Sequence, residues 1–302
     1  MHFDMLRNLY NHRLLLFMLL PGLLYFIVFH YMPMAGLLLA FTDYTPSSGL
    51  ADSNWVGLEH FKRLASEPTL GMLVRNTVLL FLFNVLITFP LPVMLAFLFH
   101  ELKKGPLSSF VQNALYLPYF LSWVVVVSLF YVLFEEAGSP FQKVLEAFGL
   151  APVHFMLEES WFRLLYTGQN LWREVGWETL IYVAAISSIN KTLYDAAKLD
   201  GAGRYQLMLH ITWPGIRNMV YMLLILKCGH ILDLGFEHAM LLINPVNRSS
   251  AEILDTYMYT AGILGGQFGY TTAISLFKSA VGVTLLLCGN AIIQRVRKDE
   301  IL

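Results

Sequence analysis

Charged residues and tryptophans interrupt three apolar stretches in the C-terminal half of the chain. Trp172, Glu174, Trp177 and Glu178 lie in the first stretch, Lys227, His230, Asp233 and Glu237 in the second, and Lys278 in the third. A charged side chain in an apolar surrounding is costly unless it faces a partner or a water-filled cavity, so these residues are candidates for a functional site. The stretches contain no paired His or Asp residues with metal-ligand spacing and no Gly-x-Ser-x-Gly nucleophile motif. These absences argue against a membrane-embedded enzyme.

The spacing and types of these residues predict one shared cavity. His230, Asp233 and Glu237 are separated by three and then four residues, so they would share one face of a continuous helix. Carboxylate, imidazole and ammonium groups form directional hydrogen bonds with hydroxyl groups. Tryptophan faces suit the apolar side of sugar rings. We therefore predict that the set lines one polar cavity, suited to a hydroxyl-rich ligand such as a saccharide.

Two alternatives remain open for the same charges. Lys227 or Lys278 could form interhelical ion pairs with Glu178 or Asp233, which would hold the helices together without touching a ligand. The two lysines could also bind the carboxylates of an acidic ligand, such as a uronate oligosaccharide.

Long apolar helices must position these residues. Of the 302 residues, 57% are hydrophobic and 14% are charged, a low charged share for a soluble domain. A helix needs roughly 20 apolar residues to cross the hydrocarbon core of a membrane. Stretches near this length occupy about 14–41, 74–99, 111–134, 166–189, 216–237 and 271–293. We predict an all-α polytopic membrane protein with six transmembrane helices.

The six predicted spans form a single domain over 1–302, with an N-terminal span at about 14–41 and core spans over about 70–295. The first apolar run is too long for a cleaved signal peptide, and it contains Pro21 and Pro33. We expect both prolines to mark bends, or Pro21 to mark the start of the helix. Cys228 and Cys288 lie inside apolar runs, where neither a disulfide nor a metal site is expected.

The distribution of basic residues predicts the orientation. Six spans place both termini on one side, and positive charge accumulates on the cytoplasmic side. With both termini in the cytoplasm, that side collects 11 of the 20 basic residues: Arg7, Arg13, Lys103, Lys104, Lys191, Lys198, Arg204, Arg217, Arg295, Arg297 and Lys298. The net charge of −1 argues against a nucleic-acid partner.

A short polar segment between the fourth and fifth spans, residues 190–214, is named here the Ala-rich loop. Thr192 and Asp195 are spaced as a capping box that would begin a helix, and Gly201 would end it. A second helical piece is expected from Arg204 to Thr212, with Pro214 in the first turn of the next helix. Small side chains on an exposed helix let another backbone approach closely, so we predict that this helix docks into a partner.

The Ala-rich loop resembles the EAA loop of bacterial ABC-importer permeases. The matching residues are Asp195, Ala196, Ala197, then Asp200, Gly201, Ala202, and then Ile211-Thr-Trp-Pro214. Asp195 stands where the family has Glu, and Trp213 where it usually has Leu. Trp55-Val-Gly-Leu58, Gly229-His-Ile-Leu232, Gly235-Phe-Glu237 and Asp255-Thr-Tyr257 are similar to the MalF/LplB-like branch, whose members carry oligosaccharides and polysaccharide fragments.

The resemblance implies a transport subunit rather than an enzyme. It implies a multi-pass protein of the bacterial cell (inner) membrane that forms half of a path for a saccharide. The implied partners are a second, related but different permease chain, two ABC ATPase subunits at the cytoplasmic face, and an extracytoplasmic solute-binding protein. The resemblance assigns Asp195, Ala196, Ala197, Asp200, Gly201, Ala202 and Pro214 to contact with the ATPase. Local capping and turn bonds are an alternative role for Asp195 and Asp200.

The sequence offers no site for ATP in this chain. It contains no Gly-x-x-x-x-Gly-Lys-Ser/Thr phosphate loop, so ATP and Mg are expected to bind to the partner ATPase. An ion-coupled secondary sugar transporter, with Glu178, His230 and Asp233 as a relay, is the alternative function. That class has internal repeats, and the last three spans do not repeat the first three.

Overall fold

The computed structural model describes residues 13–47, 49, 52–102, 105–136 and 138–299. Arg7, Lys103 and Lys104 of the predicted cytoplasmic basic set lie outside these residues. The described chain is helical and contains no β-strand, apart from an isolated antiparallel bridge between Thr42 and Trp55. The predicted all-α class is therefore confirmed.

The α-helices of the described chain are numbered in order. They are α1 Arg13–Phe26, α2 Glu59–Ala65, α3 Leu70–Phe83, α4 Pro90–Glu101, α5 Pro106–Tyr116, α6 Trp123–Phe130, α7 Pro140–Ala147, α8 Phe162–Ser187, α9 Lys191–Leu199, α10 Arg204–Leu207, α11 Trp213–Gly229, α12 Phe236–Leu242, α13 Arg248–Ala251, α14 Leu254–Met258 and α15 Phe268–Asp299. Wider π-helical turns follow α1, α3, α6, α10 and α14, at Ile27–Tyr31, Asn84–Thr88, Tyr131–Glu135, Met208–Thr212 and Tyr259–Leu264.

Four helical segments within the described residues are long and apolar enough to cross a membrane. They are Arg13–Phe41, Leu70–Glu101, Trp123–Ala147 and Phe268–Ala291. The first, second and sixth predicted spans coincide with three of them, and Pro21 lies inside the first helix rather than at its start. The fourth and fifth predicted spans are the helices α8 and α11. These two are respectively more polar and shorter than the four, so the six-span count stays a prediction.

The third predicted span, 111–134, is wrong as a continuous helix. The chain leaves α5 through a 3₁₀ turn containing Pro118 and becomes extended at Leu121 and Ser122. The hydroxyl of Ser122 then accepts a hydrogen bond from the N–H of Val125 and caps α6. Proline cannot donate a helical hydrogen bond and serine is a favoured N-cap, so the apolar composition of this run concealed a helix end and a new start.

The described chain divides into two compact units. One contains the described residues up to Glu67 together with Thr260–Phe277, and the other contains Pro68–Tyr259 and the residues from Lys278 onward. In the first unit, the guanidinium of Arg63 on α2 donates to Gln267 Oε1 at 2.7 Å and lies 4.2 Å from the centre of the Tyr270 ring. These contacts fix α2 to the start of α15.

Helix α8 is the central helix of the second unit. Near its start, Phe162 and Tyr166 belong to one buried apolar cluster, and near its end Tyr182 and Ile186 belong to another. Between the clusters, Gly176 meets α5 so closely that an added Cβ would lie 1.9 Å from the carbonyl oxygen of Leu115. Packing at both ends and at Gly176 therefore fixes the rotation of α8, and with it the side from which its polar residues project.

Candidate functional site

A cavity of about 240 Å³ lies beside the middle of α8 in the second unit. Its polar lining consists of Asn84, Tyr166, Asn170, Glu174, Glu178, Lys227, His230 and Asp233. The structure thus brings together five of the predicted residues: Glu174, Glu178, Lys227, His230 and Asp233. It leaves Trp172, Trp177, Glu237 and Lys278 outside the lining.

Helical geometry explains which residues of α8 reach the cavity. Tyr166, Asn170, Glu174 and Glu178 are four residues apart and therefore follow one face of the helix. Trp172 and Trp177 do not share this spacing with the cavity residues. A count of four-residue intervals in the sequence would have found Tyr166 and Asn170 as well.

The acidic groups on α8 are paired with cations. Lys227 Nζ lies 3.3 Å from Glu178 Oε1, and both side chains are about three-quarters buried. Arg173 forms an ion pair with Glu174, and its Nε donates to the backbone oxygen of Leu121 at 2.9 Å. The predicted interhelical pair between Lys227 and Glu178 is therefore present, on the wall of the cavity itself.

The fifth predicted span, 216–237, is wrong beyond residue 229, because α11 ends at Gly229. Residues 230–235 form an irregular connection before α12, so His230, Asp233 and Glu237 do not share a helical face. His230 and Asp233 still contact each other, with Nδ1 and Oδ2 3.4 Å apart, and Glu237 is exposed in the first turn of α12. Glycines at 229 and 235 enclose this connection, and they were the sequence signal for a break.

Lys278 of α15 lies behind the cavity lining. It pairs with Asp233 at 2.8 Å and also with Asp255 of α14. The sequence prediction proposed the first partner and missed the second. In the sequence, Asp255 was noted only as part of the Asp255-Thr-Tyr257 motif. Its partner Lys278 is 23 residues away on another helix, so no local spacing indicated the pair.

The Ala-rich loop forms the helix α9, which ends where the sequence predicted. Gly201 adopts a φ of +84°, a conformation that favours glycine, and the N–H of Ala202 closes the turn on the carbonyl oxygen of Ala197 at 2.9 Å. The predicted capping box at Thr192 is wrong, since Asn190 Oδ1 accepts from the N–H of Thr192 at 3.0 Å and acts as the cap. The helical piece from Arg204 to Thr212 and the placement of Pro214 in the first turn of α11 agree with the prediction.

The surface of this loop is exposed and partly apolar. Leu199 is 89% exposed and Tyr205 is 69% exposed. Asp195 and Asp200 are also exposed, and within the described part of the chain neither carboxylate accepts a hydrogen bond from the loop. Local capping is therefore not the role of the two aspartates in this structure.

Comparison with known proteins identifies the chain. Residues 69–298 match the family described as binding-protein-dependent transport system inner membrane component. The chain belongs to this family. It is therefore a permease, a membrane subunit of a transport system, and its loop carries the EAA motif of such subunits.

The permease is similar to two proteins of Bacillus subtilis (strain 168). It is 48% identical to the polygalacturonan/rhamnogalacturonan transport system permease protein YteP over 98% of this chain and 92% of that one. It is 41% identical to the protein LplB over 93% of this chain and 89% of that one.

Two crystal structures share the fold of the permease. One is a bacterial ABC transporter involved in the import of the acidic polysaccharide alginate, with a TM-score of 0.88 and 33% identity over 97% of this chain and 99% of that one. The other is a bacterial alginate ABC transporter in complex with an alginate pentasaccharide-bound periplasmic protein, with a TM-score of 0.87 and 33% identity over 96% and 97% of the two chains.

The tryptophans of the permease pack beside the cavity rather than into it. Trp177 stacks on Tyr119, with ring centroids 4.5 Å apart and an angle of 6° between the planes. Trp172 meets Phe130 edge to face at 5.8 Å. Both remain more than a third exposed, so the Tyr119–Trp177 pair offers a flat aromatic face next to Glu178.

A buried histidine of the permease was not predicted from the sequence. His238 of α12 is stacked between Trp123 at 3.8 Å and Tyr166 at 4.3 Å, and its Nε2 lies 2.7 Å from Gln169 Oε1. This stack joins α6, α8 and α12 behind the cavity. It indicates a structural role, because the His238 side chain is fully buried.

Proposed function

We propose that the permease forms half of the translocation path for an oligosaccharide or polysaccharide fragment in an ATP-driven importer. The observation that carries this proposal is the cavity beside the middle of α8, whose lining combines amides and carboxylates, with the partly exposed Tyr119–Trp177 pair beside it. Such a lining forms many directional hydrogen bonds with hydroxyl groups. The cargo named for YteP and for the alginate transporter, both carbohydrate polymers, supports the same class for this chain.

The partners of the permease follow from the Ala-rich loop and from the family. We infer that α9 and the exposed Leu199 and Tyr205 dock on an ABC ATPase, which binds ATP and Mg and performs the hydrolysis. We infer further that a second, related permease completes the path and that an extracytoplasmic binding protein delivers the cargo. The alginate transporter crystallised with its saccharide-bound periplasmic protein supports the last inference.

The proposed topology places both termini and the Ala-rich loop in the cytoplasm. The basic residues Lys191, Lys198 and Arg204 of the loop and Arg217 after it support this side. The multi-pass arrangement puts the docking helix on the side where ATP is available.

Both lysines near the cavity already have carboxylate partners within this chain, which affects how a charged cargo would be recognised. Lys227 is paired with Glu178, and Lys278 with Asp233 and Asp255. We propose that this half of the path recognises cargo mainly through hydroxyl groups. Carboxylates of an acidic saccharide would then be met chiefly by the second permease and the binding protein.

A panel of labelled saccharides tests the proposed cargo class. The complete complex, reconstituted in vesicles with ATP inside, would be offered trigalacturonate, a rhamnogalacturonan oligosaccharide, alginate pentasaccharide and the neutral maltotriose. We expect ATP-dependent uptake of at least one of them. Absence of uptake for every saccharide, in vesicles whose ATPase responds to the binding protein, would refute a saccharide cargo.

The Glu178–Lys227 pair could stabilise the fold, bind the cargo, or do both, and variants of the pair distinguish these roles. Glu178→Gln or Lys227→Met alone leaves one buried charge unpaired and should lower the recovery of folded complex, since such a loss costs about 3 kcal/mol. The double variant should regain recovery because both charges are gone. We expect its uptake per folded complex to remain about tenfold below the wild type, because hydrogen bonds to the cargo are lost. Size-exclusion recovery and vesicle uptake measure the two effects, and full uptake by the double variant would show that the pair is structural.

A further inference from the structure

The cavity has one wall whose position is not fixed by regular secondary structure. Residues 230–235, named here the wall segment, connect α11 to α12 and contribute His230, Asp233, Leu234 and Gly235 to the lining. Only short turn bonds order it locally, such as that from the N–H of Asp233 to the carbonyl oxygen of His230 at 2.9 Å. Contacts with other helices must therefore set where this wall stands.

A bridge of three charged residues holds the wall segment from behind. Lys278 of α15 donates to Asp233 Oδ1 at 2.8 Å and also to Asp255 Oδ1. Asp255 is thus linked to the wall segment through Lys278.

Asp255 is itself held firmly by the helix α3. The N–H of Leu254 donates to Thr77 Oγ1 at 3.3 Å, and the amide of Asn76 donates to the carbonyl oxygen of Glu252 at 3.1 Å. Both α3 residues are fully buried. The anchor of the bridge is therefore fixed to the core of the unit, and Asp233 on the wall segment is its exposed end.

The two carboxylates of the bridge differ in exposure. The side chain of Lys278 is 7% exposed and that of Asp255 is 16% exposed, whereas that of Asp233 is 60% exposed. A buried lysine needs a permanent counter-charge, which Asp255 supplies. The carboxylate of Asp233 can then also accept hydrogen bonds from a ligand, because Asp255 still balances the charge of Lys278.

We propose that Lys278, fixed by Asp255, is a positioning residue that holds Asp233 and the wall segment in the geometry that accepts hydrogen bonds from cargo hydroxyl groups. This inference rests on the proposed function. A purely structural ion pair has no need of a carboxylate that is largely exposed on the cavity side. Asp255 and Lys278 act here through Asp233 and do not line the cavity themselves.

The number of cargo molecules taken up per ATP hydrolysed is the appropriate measurement. In the proposed importer, other chains deliver the cargo and hydrolyse ATP. A misplaced wall in this chain should therefore let ATP be hydrolysed without movement of cargo. In vesicles that contain the complete complex, with trigalacturonate or the panel member that the wild type transports best as the probe, we compare Lys278→Met and Asp255→Asn. We expect uptake per ATP to fall about tenfold in both, the size of one lost charge-assisted hydrogen bond.

Matched variants separate positioning from stability. Lys278→Arg keeps the positive charge between the two carboxylates and should stay within about threefold of the wild type. Glu252→Gln removes the neighbouring Arg248–Glu252 pair, 3.1 Å long, but keeps the backbone carbonyl that Asn76 binds, and should leave uptake per ATP unchanged. Asp255→Asn preserves side-chain shape and keeps the test valid if Lys278→Met does not fold.

The possible outcomes are distinct. Reduced uptake per ATP in Asp255→Asn, with ATPase activity retained, supports the proposal. Lower recovery of complex with unchanged uptake per ATP would overturn it and make the bridge purely structural. If the wild-type complex transports no saccharide of the panel, the proposed function fails, and this inference fails with it.

Discussion

Gly176→Ala should abolish recovery of the folded permease. The added Cβ would lie 1.9 Å from the carbonyl oxygen of Leu115 and 2.5 Å from its carbonyl carbon, and both atoms belong to the backbone of α5. A backbone cannot rotate away as a side chain can, so α5 and α8 must separate. We expect a loss of stability of about 3 kcal/mol or more, at the upper end for overpacked sites.

Gly168→Ala on the same helix is the matched control for this change. No atom lies within 4 Å of a Cβ added at Gly168. Alanine favours a helix over glycine by about 1 kcal/mol, so this variant should be as stable as the wild type or more so. Size-exclusion recovery and thermal melting of the detergent-extracted complex check both expectations. Recovery of Gly176→Ala with an unchanged melting temperature would show that α5 and α8 do not meet as described.

Gly201→Trp should remove the ATPase from the complex while the second permease is retained. Gly201 ends α9 at a φ of +84°, and no atom lies within 4 Å of its added Cβ. A side chain at this position therefore begins in open space, and an indole would cover the exposed surface between α9 and Tyr205, where we place the ATPase. Co-purification of tagged permease with its co-expressed partner chains measures the effect.

Gly149→Trp is the control for the backbone strain in this experiment. Gly149 follows α7 with a φ of +70°, also has open space around it, and lies in a loop on the proposed outer side. The two variants carry the same residue in a similarly strained conformation. Equal retention of the ATPase by Gly201→Trp and Gly149→Trp would place the docking surface elsewhere.

Local sequence patterns predicted the parts of this fold that depend on local chemistry. The long apolar runs gave the first, second and sixth spans, and Gly201 gave the end of α9, because membrane helices and left-handed turns each have a direct residue requirement. The charged residues inside apolar runs led to five residues that line the cavity, because a charge in such a place needs a partner or water.

Features that depend on packing between distant segments could not be read from the sequence. Composition alone showed one apolar run where the structure has α5, an extended turn and α6, and another where α11 ends at Gly229. Trp172 and Trp177 were assigned to the cavity by proximity in sequence, although the face of α8 that reaches it repeats every four residues. Asp255 was missed because its partner lies on α15, and no local spacing connects the two residues.

The most direct test of the account is uptake by the purified complex in vesicles with and without ATP. This permease would be co-purified with the second permease and the ATPase, and the binding protein and labelled saccharide would be supplied outside. We predict uptake only when ATP is enclosed and the ATPase can hydrolyse it, and we predict loss of that uptake in Gly201→Trp. Saccharide uptake by this chain alone, driven by an ion gradient and independent of ATP, would contradict it.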